Sequence, residues 1–247
     1  MQTDLSVLAI IPARMASTRF YGKPLTEIAG KPMIERVYER AQAAAFSDII
    51  VATDSDEILQ CVESFGGRAM MTRSDHTTGL DRIIEVFSNE PGYEIYLNIQ
   101  GDEPLVEPQT LQAVIENFRL YDDADISTAA YPFDNYEDSL DPNQVKVVID
   151  ASGKALYFSR SQIPHHREPT AFKKGSLLKH QGIYAYSNSG LKKIQTLAAT
   201  ELENLEKLEQ LRFLYHGLAI YVAISQKDSI GVDTPEDVKK VEAILNG

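Results

Sequence analysis

Short apolar runs alternate with amphipathic helical repeats through the first half of the chain. Leu5 to Pro12 reads as a buried strand that runs directly into a polar loop, Ala13 to Leu25. Beyond that loop, Met33 to Ala44 places Ile34, Val37 and Ala41 at helical spacing. Ile49 to Ala52 is a short strand ending at Thr53-Asp54, and Asp54 or Ser55 is placed to cap the next helix. In that helix Ile58, Val62 and Phe65 share a face, and Gly66-Gly67 stops it. Ala69 to Met71 predicts a third strand, Leu80 to Phe87 a third helix, and Ile95 to Ile99 a fourth strand ending in Gln100-Gly101-Asp102-Glu103-Pro104. This rhythm specifies an α/β fold with a mostly parallel, Rossmann-like sheet and helices on both faces. In such folds ligands bind at the carboxyl ends of the strands.

The rhythm changes after Asp125. Ile126 to Tyr131, Val145 to Ile149 and Ala155 to Ser159 read as strands, the last two forming an antiparallel hairpin across Asp150 to Gly153. Ile163 to Lys179 has little periodicity and reads as a long loop. Gly182 to Tyr186 is a further strand, followed by helices near Leu191 to Gln195 and Glu203 to Tyr215. Ile220 to Ile224 is a late strand, and Pro235 to Leu245 closes the chain as a helix with Thr234 as its cap. No repeat, linker or low-complexity tract interrupts the chain. The expected organisation is one domain, 1–247, with an inserted antiparallel subregion at about 126–190.

Composition narrows the partners. With 43% hydrophobic and 24% charged residues, the 247-residue chain has the makeup of a globular protein with a sizeable core. A net charge of −12 argues against nucleic acid and anionic membrane surfaces as main partners, although not against a nucleotide held by a few local cations. The one cysteine, Cys61, falls in a helix and reads as a small buried side chain. There is no signal-peptide pattern and no apolar stretch of membrane-spanning length, so the expected location is the cytoplasm.

Against that acidic background the loop after the first strand stands out. Arg14, Arg19 and Lys23, with hydroxyls at Ser17 and Thr18 and glycine at 22, sit where an α/β protein cradles phosphate. Lys23 is expected against a phosphate, with Arg14 and Arg19 neutralising the rest of a triphosphate and main-chain N–H groups from Ala16 to Thr18 lining it. The spacing matches neither the ATPase phosphate loop nor the dinucleotide fingerprint. Asp102, at a strand's carboxyl end after Gly101, is a candidate ligand for a divalent metal. Asp233, in Ser229-Ile230-Gly231-Val232-Asp233-Thr234-Pro235, is a second. Two acids opposite a cationic loop suit in-line attack on an α-phosphate with pyrophosphate leaving. The His165-His166 pair has no further ligands at metal-binding spacing and reads as loop surface.

These segments, taken in order, resemble one enzyme family. They are Ile11-Pro12-Ala13-Arg14 with Ala16-Ser17-Thr18-Arg19, Gly22-Lys23-Pro24-Leu25, Gly30 to Ile34, Val51 to Asp54 and Asn98 to Pro104. Val145 to Val148, Tyr157-Phe158-Ser159-Arg160 with Ile163-Pro164, Lys179-His180, Gly182 to Tyr186, Leu208 to Arg212 and Gly231 to Asp237 follow. The chain is similar over essentially its whole length to the 3-deoxy-manno-octulosonate cytidylyltransferases, the CMP-Kdo synthetases of lipopolysaccharide assembly. The resemblance implies a nucleotidyltransferase that joins CTP to an eight-carbon 2-keto acid sugar, releasing pyrophosphate, with Mg²⁺. It implies that Arg14, Ser17 and Lys23 hold the triphosphate, that Thr78, Gly79 and Arg82 lie on the cytosine side, and that Asp102 and Asp233 bind Mg²⁺. It groups Gln100, Arg160, His180, Glu209 and Gln210 around the sugar, and it implies a homodimer in which the antiparallel region supplies a sugar-side lid and dimer surface.

Three departures accompany the resemblance. Phe20-Tyr21 stands where the family usually has Leu-Pro, and Thr78-Gly79-Leu80 where it usually has Ser-Gly-Thr. Pro164 is followed by His165-His166-Arg167-Glu168 rather than an aromatic residue and an acid. They keep open a branch that activates the 8-amino-8-deoxy sugar. Sialic acid cytidylyltransferases share the cationic loop but lack the Gln100 to Pro104, Lys179-His180 and Leu208 to Gln210 combination. A non-catalytic nucleotide-binding protein would have lost Lys23 or the two acids.

Overall fold

The computed structural model describes residues 5–15, 20–168, 170 and 172–246. They form two compact units, one of Met1–Leu111 with Ser229–Gly247 and one of Gln112–Asp228.

The first unit opens with β1 (Val7–Ala13), buried at almost every position because both of its faces are covered. A small hairpin, β2 (Glu27–Ile28) and β3 (Lys31–Pro32), precedes α1 (Met33–Ala43). Then come β4 (Asp48–Thr53), α2 (Asp56–Ser64), β5 (Ala69–Met71), α3 (Gly79–Asn89) and β6 (Ile95–Asn98). The four longer-range strands lie parallel in the order β6-β1-β4-β5, with Ile10 paired to Asn98 on one side and Ile50 on the other. Parallel neighbours leave all their strand ends, and hence their loops, at one edge. The helix α1 buries Met33, Ile34, Val37 and Ala41 on one stripe, each large side chain contributing roughly 1.5–3 kcal/mol. Of the two capping candidates for α2, Ser55 is the one used, its Oγ accepting from the Ile58 N–H.

The helix α4 (Pro108–Leu120) leads to the second unit. There β7 (Ile126–Pro132) is followed by β8 (Lys146–Ile149), β9 (Ala155–Ser159) and β10 (Leu178–Ser187). The hairpin expected across Asp150 to Gly153 forms, with Val147 opposite Phe158. After β10 come α5 (Asn188–Ile194), α6 (Glu201–Glu206), α7 (Gln210–Tyr215) and β11 (Ile220–Ile224). β10 runs antiparallel to β7, which pairs in parallel with β11. The chain ends in α8 (Pro235–Asn246), part of the first unit.

Three expectations need correction. The strand predicted at Gly182 to Tyr186 begins at Leu178, because pairing to β7 and β8 extends order into a polar stretch that has no periodic signal. The single helix predicted over Glu203 to Tyr215 is two, since Lys207 takes φ 53° and closes α6. Cys61 lies in α2 as expected but is only half-buried.

Candidate active site

The site grows from the end of β6. Past Asn98 the chain turns through Gln100 and Gly101 to Asp102, and a Cβ on Gly101 would lie 2.7 Å from the Pro12 carbonyl oxygen. Only glycine lets this turn press against β1, and that contact places Asp102 at the carboxyl end of the parallel strands. The segment before α8 is laced to the same turn. The Val232 N–H donates to the Asp102 carbonyl at 2.8 Å, and Ser229 Oγ donates to the Glu103 carboxylate at 2.6 Å. Asp233 therefore arrives beside Asp102 from an irregular segment rather than from the tip of a strand.

Lys23 meets both acids. It opens a 3-10 turn, Lys23–Leu25, preceded by Gly22 at φ 72° and stiffened by the buried Pro24. Its ammonium donates to Asp102 Oδ2 at 2.7 Å, to the Val232 carbonyl at 2.8 Å and to Asp233 Oδ1 at 3.4 Å. Lys23 is largely enclosed, its side chain 14% exposed, whereas Asp233 is 52% exposed and faces the opening.

A cleft of about 260 Å³ lies over this cluster, lined by Arg14, Lys23, His76, Thr78, Gly79, Arg82, Gln100, Gly101, Asp102 and Asp233 among others. Arg14 stands exposed at its rim. Thr78 caps α3 in a reciprocal box with Asp81, so the first turn of that helix borders the cleft. Burial alone would raise the Asp81 carboxyl, but donors from Thr77 and Thr78 outweigh it and hold the group below its ordinary value. Arg82 is almost fully buried and ties Asp54, at 2.9 Å, and Thr72 together. It thus braces the wall of the cleft as well as charging it. His76, which the sequence reading passed over, also lines the cleft, with Nε2 against the Glu85 carboxylate. Its signal in the sequence was its place in the polar loop two residues before the Thr78 cap. Ser17 and Arg19, and the backbone from Ala16 to Thr18, lie outside the described residues.

Of the residues assigned to the sugar, Gln100 lines the cleft and the other four belong to the second unit. Arg160 is tightly held. Its Nε donates to the Glu206 carbonyl at 2.7 Å and Nη1 to the Pro142 carbonyl at 3.2 Å, while its own N–H donates to the Glu206 carboxylate at 2.9 Å. The same carboxylate accepts from Ser159 Oγ at 2.6 Å, and the fully buried Lys146 donates to the Arg160 carbonyl at 2.5 Å. Burial pulls the Lys146 ammonium below its ordinary range. His180 bonds through Nε2 to Thr128 Oγ1 at 2.9 Å, and Thr128 gives its own hydroxyl proton to the Ile183 carbonyl at 2.7 Å. Thr128 therefore accepts, and His180 carries its proton on Nε2. Burial lowers the His180 pKa from 6.5 to about 3, so the imidazole is a neutral polar group. Glu209 accepts from Arg212 at 3.1 Å, and Gln210 is buried at the start of α7.

Lys23, the two acids Asp102 and Asp233 and the capped start of α3 thus meet at one cleft. The sequence profile of the cytidylyltransferase family matches residues 8–224. The chain belongs to the cytidylyltransferase family. It is 46% identical, over 98% of its length and 99% of the relative's, to the 3-deoxy-manno-octulosonate cytidylyltransferase of Yersinia enterocolitica. To the enzyme of the same description from Syntrophobacter fumaroxidans it is 47% identical, over 98% of this chain and 97% of the other. A solved structure of CMP:2-keto-3-deoxy-manno-octonic acid synthetase complexed with CTP superposes with a TM-score of 0.91 at 39% identity, covering 97% of this cytidylyltransferase and 98% of that chain. The fold extends further, to a 4-diphosphocytidyl-2C-methyl-D-erythritol synthase from Anaerococcus prevotii at 17% identity and a TM-score of 0.64. Among the described residues no helix is long and apolar enough to cross a membrane.

Proposed function

We propose that this cytidylyltransferase joins CTP to a 3-deoxy-manno-octulosonate-type sugar, giving the CMP-sugar and pyrophosphate for lipopolysaccharide assembly in the cytoplasm. The observation that carries the reading is the convergence of Lys23, Asp102 and Asp233 under a cleft bordered by Arg14 and the capped start of α3. It occurs in a chain 46–47% identical to relatives of that description over 98% of its length.

The reaction needs no covalent intermediate with the enzyme. The sugar's anomeric hydroxyl oxygen forms a bond to the α-phosphorus, the bond from that phosphorus to the β-phosphate oxygen breaks, and the hydroxyl proton is released. Arg14 and Lys23 hold the triphosphate and meet the charge that develops on its oxygens. Thr78, Gly79 and Arg82 shape the base side of the cleft. For the sugar we assign Gln100, Arg160, His180, Glu209 and Gln210, with Arg160 as the cation for its carboxylate and neutral His180, whose one N–H is given to Thr128, as an acceptor through Nδ1.

Two carboxylates that already clasp one cation between them suit Mg²⁺, which takes one or two carboxylates and completes its shell with phosphate oxygens and water. Asp102 and Asp233 would hold it. When bound, Mg²⁺ neutralises charge on the phosphate oxygens during displacement.

The assay is pyrophosphate release from CTP, with Mg²⁺ and purified sugar. Asp102→Asn and Asp233→Asn are each expected to lower kcat by about a hundredfold or more, and turnover left intact at saturating Mg²⁺ would overturn the metal assignment. The loop departures around Phe20-Tyr21 and Pro164 to Glu168 keep open the 8-amino-8-deoxy sugar as a second reading. Comparing kcat/KM for the 8-hydroxy and 8-amino acids in one preparation separates the two, and a ratio near one removes the distinction.

A further inference from the structure

The position of Lys23 bears on how the metal enters. An ammonium has three N–H donors, and those of Lys23 meet Asp102 Oδ2, the Val232 carbonyl and Asp233 Oδ1. Its acceptors include an oxygen of each acid that would ligate a divalent cation. The lysine cannot drift away easily, because Gly22 at φ 72° and the buried Pro24 fix the turn from which it projects. A divalent cation approaching the two acids alone meets a positive charge already bonded to them. A cation carried on a triphosphate brings its own counter-charge, and the phosphates give the ammonium a new partner as it leaves the carboxylates.

We propose that Lys23 closes the carboxylate pair to free divalent metal and opens it only to metal arriving with the nucleotide, so that the species bound is the metal–CTP complex. The inference rests on the metal reading above and adds the order of assembly. Lys23 serves successively as counter-cation to the two acids and as a clamp on the triphosphate. Metal and nucleotide are thereby coupled, and linkage requires that each strengthen the other's binding by the same factor.

Mn²⁺ is the probe, read by the loss of its free-ion electron paramagnetic resonance signal, with calorimetric titration of CTP alongside. The wild-type protein alone is expected to bind Mn²⁺ at least about tenfold more weakly than its CTP complex does, within the usual range of site–site coupling. Lys23→Met and Lys23→Gln, the second retaining polarity without charge, are each expected to strengthen Mn²⁺ binding to the nucleotide-free protein by about tenfold while weakening CTP binding. Adding Asp102→Asn to Lys23→Met should erase that gain, locating the ion at this pair. Equal Mn²⁺ affinity in nucleotide-free wild type and both lysine variants overturns the proposal and leaves the metal reading standing. If no Mn²⁺ is bound even with CTP present, the metal reading itself fails, and the proposal with it.

Discussion

At the scale of single residues, Gly101 and His180 illustrate how burial sets chemistry. The 2.7 Å separation from a Gly101 Cβ to the Pro12 oxygen is closer than the two atoms can sit, and the obstacle is strand backbone rather than a flexible side chain. Gly101→Ala must push Asp102 away from β1. Its expected cost is about 1–3 kcal/mol of stability, together with a loss of kcat larger than that of Asp233→Glu, measured by denaturant unfolding and pyrophosphate release. His180 acts through its charge state. Its native pKa of about 3 is below the ordinary 6.5, so between these values the unfolded chain binds a proton that the folded chain refuses. Stability then falls as pH drops below about 6.5, by up to ~1.4 kcal/mol per pH unit from this group. His180→Gln should flatten that slope in unfolding curves taken from pH 7 to 5, and an unchanged slope would show that the imidazole is protonated in the native state. For the same reason His180 should contribute no ionisation to the kcat profile between pH 5 and 8.

At the scale of elements, α6 matters more for what it holds than for what it buries. None of its residues is buried, yet Glu206 in its last turn accepts from Ser159 and from the Arg160 N–H, and its carbonyl accepts from the Arg160 guanidinium. The helix end therefore positions the cation assigned to the sugar carboxylate. Glu206→Gln keeps the shape and removes the charge behind these bonds. The expected result is a several-fold rise in KM for the sugar, on the order of 1 kcal/mol for weakened charge-assisted bonds, with KM for CTP unchanged. A parallel rise in both constants would assign Glu206 a general structural role instead. The break at Lys207 belongs to the same element. A helix over Glu203 to Tyr215 is what periodicity predicts, but the left-handed residue stops it and leaves the Glu206 carbonyl free to meet Arg160.

At the scale of the whole molecule, the second unit carries large apolar side chains in water. Leu156 on β9, Leu202 and Leu205 on α6 and Tyr215 on α7 are 59%, 37%, 73% and 66% exposed, and these elements pack on one another. A second copy of the chain is the occupant proposed by the family resemblance, and exposed apolar side chains such as these are what it would cover. Sedimentation equilibrium should give twice the 27.5 kDa chain mass, and Leu205→Glu should shift the protein toward monomer. A monomeric wild type at micromolar concentration refutes the homodimer.

Much of this protein was legible without coordinates. The parallel strands and their helices were readable because both layers leave periodic apolar patterns: β5 and β11 fall on the expected residues, and α1 differs from its expected span only at its last residue. Lys23, Asp102 and Asp233 were legible because charged groups at strand ends and before capped helices are chemically conspicuous. What the sequence alone determined, then, was the α/β class, the family and which charged groups were candidates for the site, since local periodicity and residue chemistry are properties of a linear string. Tertiary structure alone decided that Lys23 bridges the two acids, that His76 joins the cleft, that His180 is neutral and that Glu206 holds Arg160. Each of these depends on desolvation or on a contact between residues distant in the chain, and neither leaves a trace in spacing.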